Sequence, residues 1–112
     1  MTMVYVAAPY SNIVNKPALM RSIAKFCGEY MIAHPGEYAI TGLVHHYACE
    51  DNPTLGTDYQ FWETFCQGFI QRCDKVVVLK IDGWETSKGV AAEIDYATHL
   101  GRPVEFVDWS ID

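Results

Sequence analysis

Positive charge is scarce in this sequence. Eight Lys and Arg stand against fourteen Asp and Glu, giving a formal net charge of -6 and an isoelectric point near 5.0. A non-specific nucleic-acid binder needs a basic stripe, so no direct polynucleotide binding is expected. A small phosphorylated ligand stays possible, because backbone N–H groups in one pocket can hold a phosphate. Long apolar runs are also missing. The N-terminal "MTMVYVAAPYSN" has no basic leader and is too short in its apolar part for a signal peptide or a membrane span. No C-x-x-C pair occurs among the four cysteines, Cys27, Cys49, Cys66 and Cys73, so free thiols in a reduced, cytoplasmic protein are expected. Neither a Walker loop nor G-x-G-x-x-G is present, which leaves ATPase and dehydrogenase readings without support. Repeats, linkers and low-complexity tracts are absent too.

What is present is an ordinary globular balance, with 50% hydrophobic and 20% charged residues, and the length suits one domain over residues 1–112. "MVYVAA" (Met3 to Ala8) is short, β-branched and apolar, and reads as a buried strand stopped by Pro9. The period then changes. Leu19, Met20, Ile23, Phe26, Cys27, Tyr30 and Met31 recur at three and four, between Pro17 in a first turn and a Pro35-Gly36 stop, predicting a helix. Tyr38 to Thr41 gives a second strand, followed by a loop through "ACEDNPTLG". Thr57 and Gln60 suggest a capping box for a helix carrying Tyr59, Trp62, Phe65, Cys66, Phe69 and Ile70. "KVVVLKI" is the third strand. Ser87 caps a further helix with Val90, Ala91, Ile94 and Ala97 facing inward, and Gly101 ends it. "PVEFVDW" is the fourth strand.

The order βαβαβαβ implies a Rossmann-like or flavodoxin-like three-layer α/β sandwich, with a four- to five-stranded, mostly parallel sheet. Ligands of such sheets sit beyond the carboxyl ends of the strands, where strand order switches. Two segments meet at that edge: "APYSN" after the first strand and "DGWETSKG" after the third.

The second segment carries chemistry. Ser87 and Gly89 open a helix whose free N–H groups and dipole favour an anion. Glu93 follows four residues after Gly89, and its side chain leans back over that glycine. A phosphate at Ser87 would place an attached sugar beside Glu93, and a carboxylate beside an anomeric carbon can attack it and expel the base. The same residues also fit a plain N-cap, a close-packing glycine and a solvated helix acid.

The elements "A-A-P-Y-S" (Ala7 to Ser11), Trp62-Glu63, "R-C-D-K-V-V-V-L" (Arg72 to Leu79), "D-G-W-E-T-S-K-G-V-A-A-E-I" (Asp82 to Ile94), Ala97 and "L-G-R-P-V" (Leu100 to Val104) together resemble the nucleoside 2-deoxyribosyltransferase-like superfamily. The likeness is greatest to its small, mostly uncharacterised bacterial and phage branch (DUF1937/DUF4406-like), and it runs over nearly the whole chain. It implies base exchange between 2-deoxynucleosides or hydrolysis of 2-deoxynucleoside 5-monophosphates, by a glutamate nucleophile that matches Glu93. It further implies Asp82 as a substrate-orienting carboxylate and Ser87 with Gly89 as the phosphate cradle. Tyr10 and Ser11 are then pocket residues, with Tyr10 bonding the sugar or Glu93. A nucleoside or nucleotide is the expected small-molecule partner, with no metal and no cofactor, in a homodimer or larger homo-oligomer. One departure stands out. Members with a known activity carry an aspartate eight residues before the residue that matches Asp74, where this chain has Cys66. A thiol with an ordinary pKa near 8.5 does not replace a carboxylate. Glu63, one turn earlier, reaches the same space, whereas Asp58 belongs to the helix start. The alternative is a non-catalytic nucleotide-binding module; a third reading is a structural domain.

Other signals are weaker. "HHYACED" holds metal-ligand types without a zinc spacing, and one of His45 and His46 sits at the pocket edge or serves no special role. The aromatic stripe Tyr59, Trp62, Phe65, Phe69 reads as core or as a subunit interface. Trp84 stands in the pocket turn, either to stack on a base or to hold the turn to the sheet.

Overall fold

The computed structural model describes residues 1–56 and 58–111. Four strands form the sheet: β1 (Thr2–Ala7), β2 (Glu37–Thr41), β3 (Lys75–Leu79) and β4 (Val104–Val107). All pairings are parallel and the order is β2-β1-β3-β4. The helices are α1 (Lys16–Ala33), α2 (His46–Asp51), α3 (Tyr59–Arg72) and α4 (Lys88–His99), with single 3₁₀ turns at Pro53–Leu55 and Trp84–Thr86. The expected α/β architecture is therefore present, with four strands and no antiparallel member among the described residues.

The pleat explains the layering. Alternate β1 residues point to opposite faces, so Val4 and Val6 join Leu19, Ile23 and Phe26 of α1, while Tyr5 and Ala7 join Ile70 of α3 with Val90 and Ala97 of α4. β1 and β3 are buried on both faces, as central parallel strands require. α1 begins at Asn15, whose side chain accepts from the Ala18 N–H at 3.1 Å, with Pro17 in the first turn. Its face of the sheet is completed by the C-terminal segment. Trp109 meets Phe26 edge-on at 5.2 Å, and its indole N–H donates to the Ser22 hydroxyl at 2.9 Å. That turn-back ends β4 at Val107, short of the expected "PVEFVDW", because Trp109 is drawn onto α1 instead of extending the ladder.

Other expectations need correction. The segment expected as a loop holds α2, too short to show a helical period, anchored by the buried His46. Thr57 of the expected capping box lies outside the described residues, and α3 is capped by Asp58, which accepts from the Gln60 N–H at 3.2 Å. Ala91 is exposed, since the inward stripe of α4 runs through Val90, Ile94 and Ala97. β3 stops at Leu79, although Ile81 stays buried beneath the turn that follows. Gly101 does close α4, at φ +73° in the left-handed region that glycine tolerates.

β1 leads to β2 on one side of itself, and the chain then returns to place β3 on the other. The crevice between the carboxyl ends of β1 and β3 is thus the switch point of the sheet. Among the described residues, no helix is long and apolar enough to cross a membrane.

Candidate functional site

A pocket of about 300 Å³ opens at this crevice. Its floor is a contact between two strand-and-helix elements that are remote in sequence. The Tyr5 hydroxyl, on the α3–α4 face of β1, donates to Oε2 of Glu93 in the second turn of α4. The Cys66 thiol of α3 stands beside the same carboxylate and, like Tyr5, favours its charged form. Tyr5 and Cys66 can lie so close together because Gly42, just past β2, has no side chain. A Cβ there would stand 2.1 Å from Tyr5 Oη and 2.6 Å from Cys66 Sγ.

Burial and hydrogen bonding oppose each other at Glu93, and burial wins. The surrounding protein pushes its carboxyl up to about 7, against the smaller opposing effect of Tyr5 and Cys66. Burial likewise raises the Tyr5 phenol well above its usual value, with the neighbouring Glu93 charge adding to the effect. The Cys66 thiol is pushed up to about 12, again by burial first and Glu93 second. Near neutral pH, Tyr5 and Cys66 are therefore protonated donors, and Glu93 titrates between them. The arrangement suits a carboxylate that attacks an electrophile or takes up a proton.

The rim is the start of α4. Ser87 caps the helix, its hydroxyl accepting from the Val90 N–H at 3.2 Å. A Cβ on Gly89 would meet only Ser87 Oγ, at 3.9 Å, so the first turn is open to a ligand. Lys88 and Thr86 complete this rim, which presents N–H groups, hydroxyls and one cation in the manner of an anion site. From the other loop, Ser11 and Asn12 line the pocket, and Asn12 donates to the Gly83 carbonyl at 3.0 Å, joining the two loops across the crevice. Gly83 has φ +98°, and a Cβ there would press on the Asn12 amide at 2.7 Å. Glu63, Tyr59 and Trp62 of α3 form the opposite wall.

A second chamber of about 240 Å³ adjoins the first, and Tyr10, Ser11, Leu43, Tyr59, Trp62 and Cys66 line both. His45 and His46 belong to this second chamber. His45 packs edge-on against Phe65 at 5.3 Å and lies 6.3 Å from the Trp62 ring, continuing the aromatic stripe of α3. Tyr10 Oη is 2.7 Å from His46 Nδ1.

Of the residues singled out in the sequence, Tyr10, Ser11, Glu63, Ser87, Gly89 and Glu93 come together around the pocket. Asp82 and Trp84 do not. Asp82 is exposed at the start of its turn and does not line the pocket. Trp84 turns its ring toward Phe106 at 5.6 Å, in the core beneath α4, and so ties the turn to β4. The hydroxyl expected from Tyr10 on Glu93 comes from Tyr5 instead, and Tyr10 is engaged by His46. Sequence reasoning passed over Tyr5, Asn12, Gly42 and Lys88. A signal existed for Tyr5, because a buried tyrosine hydroxyl needs a partner.

A four-stranded parallel α/β domain with a carboxylate pocket at its switch point is thus the class defined by fold and site. Residues 2–109 match the model of a family described as a domain of unknown function (DUF1937), and the chain belongs to that family. No curated protein matches it.

Proposed function

We propose that this protein cleaves or transfers the N-glycosidic bond of a nucleoside or nucleotide, with Glu93 as nucleophile, in the manner of the nucleoside 2-deoxyribosyltransferase-like superfamily. The observation that carries the reading is the Tyr5–Glu93–Cys66 contact, a half-buried carboxylate held by the Tyr5 hydroxyl with the Cys66 thiol beside it, beneath the open first turn of α4. Phosphate at Ser87 and Gly89 would orient the ligand, and the sugar would lie over Glu93. The carboxylate bonds to the anomeric carbon as the base departs. Water or an acceptor base then displaces it, regenerating Glu93. Asp82 has no part in this account, because it stands away from the pocket.

Incubation with each 2-deoxynucleoside and 5-monophosphate, with and without an acceptor base, tests the reading by chromatography. Base is released or exchanged by the protein and not by the Glu93→Gln variant; equal behaviour of the two overturns it. A second reading, a nucleotide-binding module without turnover, is favoured by one observation: the side chain beside Glu93 is the Cys66 thiol, which stays protonated. That module would show a ligand-dependent rise in melting temperature and no free base.

A further inference from the structure

The geometry points to a proton relay, Tyr10–His46–Glu50, that serves the leaving group from the second chamber. This inference rests on the N-glycosidic reading and names the acid that the reading lacks.

Expulsion of an ordinary heterocyclic base needs a proton on its nitrogen. Glu93, as nucleophile, cannot supply it, and the Tyr5 proton is committed to the Glu93 carboxylate, with the Cys66 thiol beside it. Glu63 lies on the α3 wall of the first chamber only. Tyr10 is differently placed. It lines both chambers, on the loop after β1, whereas Glu93 lines only the first. A base in the second chamber with its sugar in the first would run past the Tyr10 hydroxyl.

Behind that hydroxyl stands His46. Its Nδ1 is 2.7 Å from Tyr10 Oη, and the residue is only 6% exposed. Its other nitrogen, Nε2, lies 3.0 Å from Glu50 Oε1, at an angle outside hydrogen-bond geometry, so Glu50 acts as a nearby negative charge on the imidazole. The ring of Tyr10 is covered by the Lys16 ammonium, 4.7 Å from its centroid. Cys49 and Glu50 are the other ionisable groups felt by Tyr10. A hydroxyl backed by an imidazole, with a carboxylate charge beside the imidazole, forms a device that loads and unloads protons at one oxygen.

The steps balance. In the first, the bond from anomeric carbon to base nitrogen breaks and its electron pair stays on the nitrogen. The Tyr10 proton joins that nitrogen, the Nδ1 proton of protonated His46 replaces it on Tyr10, and a Glu93 oxygen bonds to the anomeric carbon. In the second, water attacks that carbon and Glu93 leaves as a carboxylate. The water proton passes to Tyr10 as the Tyr10 proton returns to His46. Tyr10 is then the catalytic acid, and His46 and Glu50 are positioning residues.

The test compares two leaving groups in the wild type, Tyr10→Phe, His46→Gln and Glu93→Gln. One substrate is the best-cleaved 2-deoxynucleoside 5-monophosphate; the other is 4-nitrophenyl 2-deoxyribofuranoside 5-phosphate, whose phenolate departs without a proton. In the first turnover, Tyr10→Phe and His46→Gln are expected to lose base release by about 100-fold or more while keeping the burst of 4-nitrophenol near wild type, which also proves them folded. Later turnovers slow on both substrates, because the attacking water still gives its proton to Tyr10. Equal first-turnover loss on both substrates, or no loss on either, overturns the relay while leaving the Glu93 reading in place. Failure of the wild type to exceed Glu93→Gln on either substrate removes the N-glycosidic reading and the relay together.

Discussion

The Tyr5 hydroxyl donates to the carboxylate of Glu93, 88 residues further along the chain. Strand β1 and helix α4 thereby meet at one polar contact inside an otherwise apolar layer made of Ala7, Ile70, Val76, Val78, Val90 and Ala97. A charged or half-charged carboxylate in such surroundings is costly unless bonded, so the contact both completes the core and exposes a titrating group to the pocket. Tyr5→Phe removes the one phenolic donor and leaves Cys66. The variant is expected to push Glu93 still higher and to lose about 1–3 kcal/mol of stability above pH 7, measured by urea unfolding. Base release should then rise with pH through a midpoint above that of the wild type.

Glu93 itself gives a prediction in the opposite direction. Its folded-state value of about 7 lies above the ordinary 4.5. Between these values the folded protein holds a proton that the unfolded chain has released. The associated stability is complete below pH 4.5 and is lost as pH rises through about 7. Glu93→Gln, which stays neutral, should abolish base release yet unfold at a higher temperature than wild type at pH 8. Its advantage should amount to roughly 3 kcal/mol and vanish near pH 4. An unchanged difference between the two pH values would mean that Glu93 is not held in this protonation equilibrium.

Gly42 is needed for space. Gly42→Ala drives a methyl group against the Tyr5 hydroxyl and the Cys66 sulfur, and neither can retreat without giving up Glu93. Overpacking of this kind costs about 1–3 kcal/mol, and the same variant should lose most base release. Thermal melts and the chromatographic assay read the two effects. Gly28→Ala, where a Cβ meets nothing within 4 Å, is the control expected to keep both.

How much of this was legible follows from range. The strands, three helices and the Ser87–Gly89–Glu93 run are local patterns, and their periodicity and the Ser87 cap are legible directly. The position of the switch point followed from element order alone. Tyr5 was hidden because its partner is in α4 and "MVYVAA" reads only as a buried strand. Gly42 was hidden for the same reason, its role being set by two side chains from other elements. Asp82 follows the end of a strand, yet the chain carries it outward before the turn comes back, so it stands exposed and outside the pocket lining. Tyr10 lines the pocket but does not bond Glu93; its neighbour His46 was hidden, since α2 is too short to show a helical period.

The thiols offer a check on burial that needs no ligand. Burial raises Cys27 and Cys73 to about 11 and Cys66 to about 12, so almost none of these three is thiolate at pH 7.5. Iodoacetamide should label them slowly in the native protein and readily after unfolding in urea, with mass spectrometry locating the adducts. Rapid native labelling of Cys66 would show that the site is more open than the Tyr5–Glu93–Cys66 contact allows.

Ser87 separates the cap from the cradle. Its hydroxyl holds the Val90 N–H, so Ser87→Ala should cost about 1 kcal/mol of stability whether or not a phosphate ever binds there. Ser87→Asp is more informative, because aspartate caps helices as well as serine does and also suits the helix dipole. That variant should melt within a degree or two of wild type. It also places a negative charge where the phosphate is proposed to lie. Like-charge juxtaposition costs several kcal/mol, so affinity for a 2-deoxynucleoside 5-monophosphate should fall by about 100-fold or more, while affinity for the nucleoside without phosphate barely changes. Calorimetric titration with the two ligands measures this difference. If both ligands bind Ser87→Asp as they bind the wild type, the phosphate is not held at the start of α4, and the orientation that places the sugar over Glu93 fails with it.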